Sequence, residues 1–166
     1  MIDQKKRYVI DNYGKKSVFS NFLPSISGER GVPLWCFYVN RGQAIASFGI
    51  QDKDHSIMQF FPAQQAYTHT KRMGFRTFIK MDGKVSELFS KEEFAHQMAI
   101  GMNELEISEN NKELGLQTNV KYYTLPSENF AGLIRKVTIK NTSTQKKSLE
   151  YVDGMAAILP YGVDLA

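Results

Sequence analysis

Residues 35–50 read WCFYVNRGQAIASFGI, which is the pattern of a strand, a glycine turn and a second strand. Side chains alternate across a strand, so the two faces of the first strand follow directly from the sequence. One face carries Trp35, Phe37 and Val39, and the other carries Cys36 and Tyr38. A strand that is apolar on both faces must be covered on both, which predicts a layered β structure.

The tip of this hairpin carries planar hydrogen-bonding side chains. Such groups bind sugar hydroxyls or carboxylates, and Gly42 between them is expected to take the left-handed conformation of a three-residue loop. Two aromatic residues lie beside the tip and offer the flat surface that carbohydrate sites use, although burial in a sandwich core is the alternative for both. The candidate substrate-binding residues are therefore Trp35, Tyr38, Asn40, Arg41 and Gln43.

Strand patterns continue through the rest of the chain. Residues 75–81 alternate and reach an Asp82-Gly83 hairpin turn. Three long alternating runs fill the second half, and the pattern predicts that residues 133–139 pair with residues 148–152. Residues 1–166 are thus expected to form one all-β domain, an antiparallel β-sandwich with at most one short helix.

The best helix candidate lies at residues 90–98. Ser90 and Glu93 have the spacing of a capping box, and Phe89 with Phe94 has the spacing of a hydrophobic staple. The segment at residues 63–70 is predicted as a strand.

Composition and charge exclude several classes of function. The formal net charge is +4, and its basic residues are scattered, so nucleic-acid binding is not expected. Cys36 is the only cysteine, which excludes an internal disulfide and suggests a reducing compartment. The first residues lack the apolar core of a signal peptide, and no apolar run is long enough to cross a bilayer. The sequence therefore predicts a cytoplasmic protein that does not bind a membrane.

No residue set has the spacing of a catalytic or cofactor site. The three histidines are far apart and lack ligand spacing, so no metal is expected. Phosphate-loop and dinucleotide motifs are missing, so no cofactor is expected. Cys36 lies in an apolar strand and is expected to be inert. The early acidic residues lie in turn-like sequence where a raised pKa is not expected: Asp11, Glu29, Asp52 and Asp54.

Several strings along the chain resemble the beginning of the inverting glycoside phosphorylases related to cellobiose phosphorylase, glycoside hydrolase family 94. The likeness is nearest to the 1,2-β-oligoglucan phosphorylase branch and spans nearly the whole chain. The most specific strings are Tyr38-Val39-Asn40-Arg41-Gly42-Gln43 and the ending Asp153-Gly154-Met155-Ala156-Ala157-Ile158-Leu159-Pro160-Tyr161-Gly162. Others are Gly74-Phe75-Arg76-Thr77-Phe78-Ile79, Tyr122-Tyr123-Thr124-Leu125-Pro126 and Leu133-Ile134-Arg135-Lys136-Val137-Thr138-Ile139.

The resemblance implies the N-terminal sandwich of a larger enzyme, with the supersandwich fold of galactose mutarotase. In that family phosphate attacks the anomeric carbon while an acid of a helical (α/α)6 barrel protonates the leaving oxygen. This chain matches no barrel motif, so no catalytic residue is assigned to it. The domain is expected to be incomplete at its C-terminal end, as a fragment, a truncated gene or half of a split enzyme.

Three functions stay open at this point. The first is a non-catalytic portion of a β-glucan phosphorylase that shapes the substrate cleft and the dimer contact, with β-glucan oligosaccharide and phosphate as partners of the full enzyme. The second is a free-standing carbohydrate-binding module. The third is an assembly element that forms a homodimer or binds a catalytic barrel chain.

Overall fold

The structure, a computed structural model, describes residues 1–91 and 93–162. In it 50% of the chain is in strands and 11% in helices, and the fold is an all-β sandwich, as predicted. The strands are β1 Tyr8–Asp11, β2 Ser20–Ser27, β3 Val32–Val39, β4 Ile45–Ile50, β5 Ser56–Met58, β6 Phe75–Met81, β7 Lys84–Glu87, β8 Ala95–Ile100, β9 Glu104–Asn111, β10 Leu116–Thr124, β11 Leu133–Asn141 and β12 Glu150–Met155. Helix α1 spans Ala63–Met73, and short 3₁₀ turns lie at Tyr13–Lys15 and Lys53–His55.

The described strands form three antiparallel sheets. The largest has the order β1-β8-β9-β10-β11, the second β2-β3-β4-β5, and the third β12-β6-β7. One apolar core contains residues from all three, such as Cys36 of β3, Ile79 of β6 and Val120 of β10. The two smaller sheets therefore share a core with the five-stranded sheet.

Strand β3 is buried on both faces, as its sequence predicts. Cys36 and Tyr38 belong to the main core, whereas Phe37 and Val39 face a second cluster on the other side of the sheet. Helix α1 covers that second cluster with Ala66 and its neighbours. The predicted hairpin is also confirmed, because β3 pairs with β4 and Gly42 has φ 51°.

The helix prediction was wrong in both places. Residues 90–98 contain no helix in their described part, and β8 begins at Ala95. His96 and Met98 are both buried, at the two-residue spacing of a strand. The helix lies instead where a strand was predicted, at Ala63–Met73.

The pairing predicted for the last two strands was also wrong. Strand β11 pairs with β10, and β12 pairs with β6, where Asp153 lies opposite Thr77. Both strands alternate as expected, but alternation defines the faces of a strand and not its neighbour. Strands β11 and β12 are therefore edges of two different sheets.

Candidate functional site

The tip of the β3–β4 hairpin is fixed by the buried amide of Asn40. Its Oδ1 accepts the N–H of Phe19 at 2.9 Å, and its Nδ2 donates to the carbonyls of Tyr13 at 3.0 Å and Ser17 at 2.9 Å. The side chain is fully buried. Asn40 thus holds the segment before β2 against the hairpin, and its hydrogen-bonding capacity is used within the protein.

Gln43 is the centre of a polar network that joins the tip of the β3–β4 hairpin to strands of the other two sheets. The side-chain Nε2 of Gln43 donates to Thr77 Oγ1 at 3.1 Å, and the backbone carbonyl of Gln43 accepts the Tyr122 hydroxyl at 2.8 Å. Arg135 donates to Gln43 Oε1 and also forms an ion pair with Asp153. Burial opposes the charge of Arg135, but Tyr122 and Asp153 outweigh that effect and hold its pKa above the ordinary value. Gln43 is therefore a link between the hairpin, β6, β10, β11 and β12.

Arg41 lies at the surface end of the same loop and is half-buried. Its guanidinium donates to the carbonyl of Asn40 at 2.7 Å and to that of Lys16 at 3.1 Å. Within the described residues it pairs with no carboxylate. A guanidinium has five N–H donors, so these two bonds leave others available.

The two aromatic candidates lie on opposite faces of β3. Tyr38 is only 2% exposed and belongs to the main core, where burial raises the pKa of its hydroxyl. Trp35 is half-buried on the other face, beside Phe22 and Phe60, and its Nε1 donates to the carbonyl of Asp52 at 3.0 Å. The five candidates therefore do not share one surface, and only Arg41 and Gln43 meet at a cavity.

That cavity lies between the hairpin tip, the C-terminal end of α1 and the segment before β8. Its volume is about 180 Å³. Gly42 forms part of its wall at α1, since a Cβ at this position would lie 3.4 Å from the carbonyl oxygen of Thr70. The other lining residues that matter chemically are Tyr13, Lys71, Arg76, Glu87, Phe89 and His96.

A buried histidine–glutamate pair lies at this cavity. His96 Nε2 is 2.9 Å from Glu109 Oε2, and that same oxygen accepts the N–H of Phe89 at 2.6 Å. Asn111 donates to the second oxygen at 3.3 Å, and the Glu109 side chain is fully buried. Sequence reasoning missed this pair. Only the β8–β9 register, which places His96 opposite Glu109, could have indicated it.

Two of the carboxylates considered from the sequence have pKa values shifted away from those of a general acid. A hydrogen bond with His55 lowers the pKa of Asp52, and one with Lys53 lowers the pKa of Asp54. At the cavity, Glu87 accepts from Arg76 at 2.7 Å and 2.8 Å. Within the described residues no group of three His, Cys, Asp or Glu side chains is arranged to hold a metal ion.

A scan against protein-family models finds no match to this chain, and no curated protein matches it. The resemblance to glycoside phosphorylases therefore depends on the residue strings quoted above. Among the described helices, none is long and apolar enough to span a membrane.

Proposed function

We propose that this chain is the non-catalytic N-terminal β-sandwich portion of a cytoplasmic β-glucan phosphorylase of the 1,2-β-oligoglucan type. In this proposal it shapes the substrate cleft and contributes to the dimer contact, while a helical barrel binds phosphate and carries out the reaction. The observation that carries the proposal is the agreement between two independent features. The residue strings resemble the N-terminal sandwich of that family, and the chain folds as an all-β sandwich.

The state of the acidic side chains supports a non-catalytic role. Protonation of a leaving sugar oxygen needs a carboxyl group whose pKa is raised toward the working pH. The pKa values of Asp52 and Asp54 are shifted the other way. Glu87, a carboxylate at the hairpin cavity, accepts hydrogen bonds from Nε and Nη2 of Arg76.

The open side of the sandwich favours an assembly role as a second candidate. Among the described strands β12 pairs only with β6, and on it Tyr151 is 65% exposed and Val152 is 72% exposed. Strand β11 likewise has a hydrogen-bonded neighbour on one side only within the part of the chain that the structure describes. Edge strands with exposed apolar residues are sites where another chain can add. A partner subunit that covers β11 and β12 would satisfy these edges.

A chimeric enzyme tests the phosphorylase proposal. The N-terminal sandwich portion of a 1,2-β-oligoglucan phosphorylase is replaced by this chain, and release of sugar phosphate from β-1,2-glucan is measured. We expect a folded, active chimera, whereas an unrelated sandwich of the same length in that position should give none. A chimera that folds but lacks activity would argue against the proposal, and so would turnover by this chain alone.

Light scattering on two matched variants tests the assembly role. Val152→Asp places a charge on the exposed face of β12, and Val85→Asp does the same on β7, where Val85 is 66% exposed. We expect a dimer that only Val152→Asp dissociates. A wild-type protein that stays monomeric at high concentration, or a dimer that tolerates Val152→Asp, would exclude assembly through this side.

A further inference from the structure

The hairpin cavity has an excess of positive charge. Among its described lining residues are Arg41 and Arg76, and beside them lies the carboxylate of Glu87. Arg76 binds both oxygens of Glu87, at 2.7 Å and 2.8 Å, so those two charges neutralise each other. Within residues 1–91 and 93–162, Arg41 donates only to backbone carbonyls. Its full positive charge therefore remains at the cavity.

Three successive backbone amides of the hairpin tip also lack acceptors. The flanking N–H groups of Asn40 and Ala44 donate to carbonyls at 3.3 Å and 3.0 Å. The N–H groups of Arg41, Gly42 and Gln43 between them make no hydrogen bond within the described residues. Gln43 is only 3% exposed, and buried N–H groups without a partner are rare in proteins. Successive N–H groups around a residue at positive φ, here Gly42 at 51°, form the concave nest that binds anions.

His96 supplies a third polar group. It is 6% exposed and lies between the rings of Tyr13 and Phe89, with centroids 5.9 Å and 5.8 Å away. Its Nε2 is held by Glu109, and its Nδ1 makes no hydrogen bond within the described residues. An ionised Glu109 only accepts hydrogen bonds, so Nε2 carries the proton. Nδ1 is then the ring nitrogen that remains for a hydrogen bond with a ligand.

The size of the cavity limits what it can hold. Pockets for drug-sized ligands begin at about 300 Å³, and a water molecule takes about 30 Å³. A cavity of about 180 Å³ suits a small molecule or one group of a larger one. We propose that it binds a small oxyanion, a phosphate or carboxylate group, through the Arg41 guanidinium and the N–H groups of Gly42 and Gln43. His96 Nδ1 then makes a hydrogen bond to the same ligand.

This inference does not rest on the phosphorylase proposal and can fail separately from it. NMR spectroscopy of the ¹⁵N-labelled full chain tests the oxyanion site through the amide resonances of Gly42 and Gln43. Inorganic phosphate, sulfate and succinate are titrated at constant ionic strength, balanced with sodium chloride. We expect saturable shifts of both amides with phosphate or succinate. Whichever of phosphate and succinate binds more tightly identifies the source of the oxyanion, and sulfate, a tetrahedral oxyanion like phosphate, should shift the same two amides.

Two arginine variants provide the matched comparison. Arg41→Gln removes the charge at the cavity but keeps hydrogen-bond donors, and Arg30→Gln removes a charge from an exposed turn at the other end of β3. We expect Arg41→Gln to weaken binding about tenfold or more, because it removes a charge-assisted hydrogen bond. Arg30→Gln should leave binding unchanged. Amides that do not respond, respond equally to sodium chloride, or respond equally in both variants would overturn the proposal.

Discussion

Neutralising Glu109 is expected to destabilise the fold more than any surface charge change. This side chain is fully buried and accepts from Phe89 N–H at 2.6 Å, from His96 at 2.9 Å and from Asn111 at 3.3 Å. Glutamine in its place has one acceptor oxygen and one N–H₂ group. In either orientation of the glutamine amide, its N–H₂ group would face one of the donors that now bind Glu109. At least one buried donor would therefore lose its partner.

The expected loss in the free energy of unfolding follows from the cost of breaking the buried histidine–glutamate pair. Removing one partner of such a pair costs about 3–5 kcal/mol, and an unsatisfied buried donor alone costs about 1–3 kcal/mol. Because glutamine keeps one acceptor, we expect Glu109→Gln to lower the free energy of unfolding by about 3 kcal/mol. Domains of this kind have roughly 5–15 kcal/mol in total, so the loss is a large fraction. With an m value of about 1–3 kcal/mol per molar urea, the midpoint should fall by about 1–3 M.

The assay is urea unfolding followed by the fluorescence of Trp35, the single tryptophan. The matched control is Glu113→Gln, since Glu113 is 62% exposed and pairs with Lys91 at the surface. This control should change the free energy of unfolding by less than about 1 kcal/mol. If Glu109→Gln is as stable as the control, Glu109 is not the charged acceptor described above.

Three further predictions address packing, reactivity and pH. Gly49→Ala should lower Tm by roughly 5 °C, because overpacking costs about 1–3 kcal/mol. The new Cβ would lie 2.6 Å from the carbonyl oxygen of His55. An unchanged Tm in calorimetry would show that β4 and the turn containing His55 can move apart without cost. Cys36 should resist a thiol reagent at pH 8 in the native protein and react on unfolding, because burial raises its pKa to about 12; fast labelling of the native state would contradict this. Hydrogen bonding to Lys121 holds the pKa of Glu104 in the folded protein below its ordinary 4.5. The Glu104–Lys121 pair should therefore stabilise the fold above about pH 4.5, and this stabilisation should be lost as the pH falls through the lowered pKa of Glu104. The stability difference between wild type and Lys121→Met, measured by urea unfolding, should therefore shrink below about pH 4, and a constant difference would contradict the assignment.

Local patterns in the sequence were enough to predict the sandwich and its central hairpin. The two-residue period of residues 35–39 and the glycine turn at Gly42 act within a few residues, and the structure confirms both. The Asp82-Gly83 turn between β6 and β7 is confirmed for the same reason, with φ 50° and 75°. The helix α1 carried a signal that was missed: Ala63, Ala66 and Thr70 follow helical spacing.

Features that depend on distant residues could not be predicted. The sequence near His96 says nothing of Glu109, because the pair exists only in the β8–β9 register. Likewise, β12 is specified by its side-chain contacts with β6 and Arg135, which lie far away in the chain. The polar tip residues were interpreted as ligand contacts, and the structure shows that Asn40 and Gln43 bond within the protein. A planar amide can bind a ligand or link parts of the protein, and the groups that lie around it in the fold determine which of the two it does.

The order of the strands also has a consequence for how this molecule is made. Strands β8 to β11 form a meander of sequence neighbours, so they can assemble rapidly with little loop-closure entropy. Strand β6, by contrast, needs β12, where Glu150 lies opposite Lys80. During synthesis β6 therefore leaves the ribosome long before its partner. Until β12 arrives, one edge of β6 stays open, and the newly made chain is most exposed to misassembly during that interval.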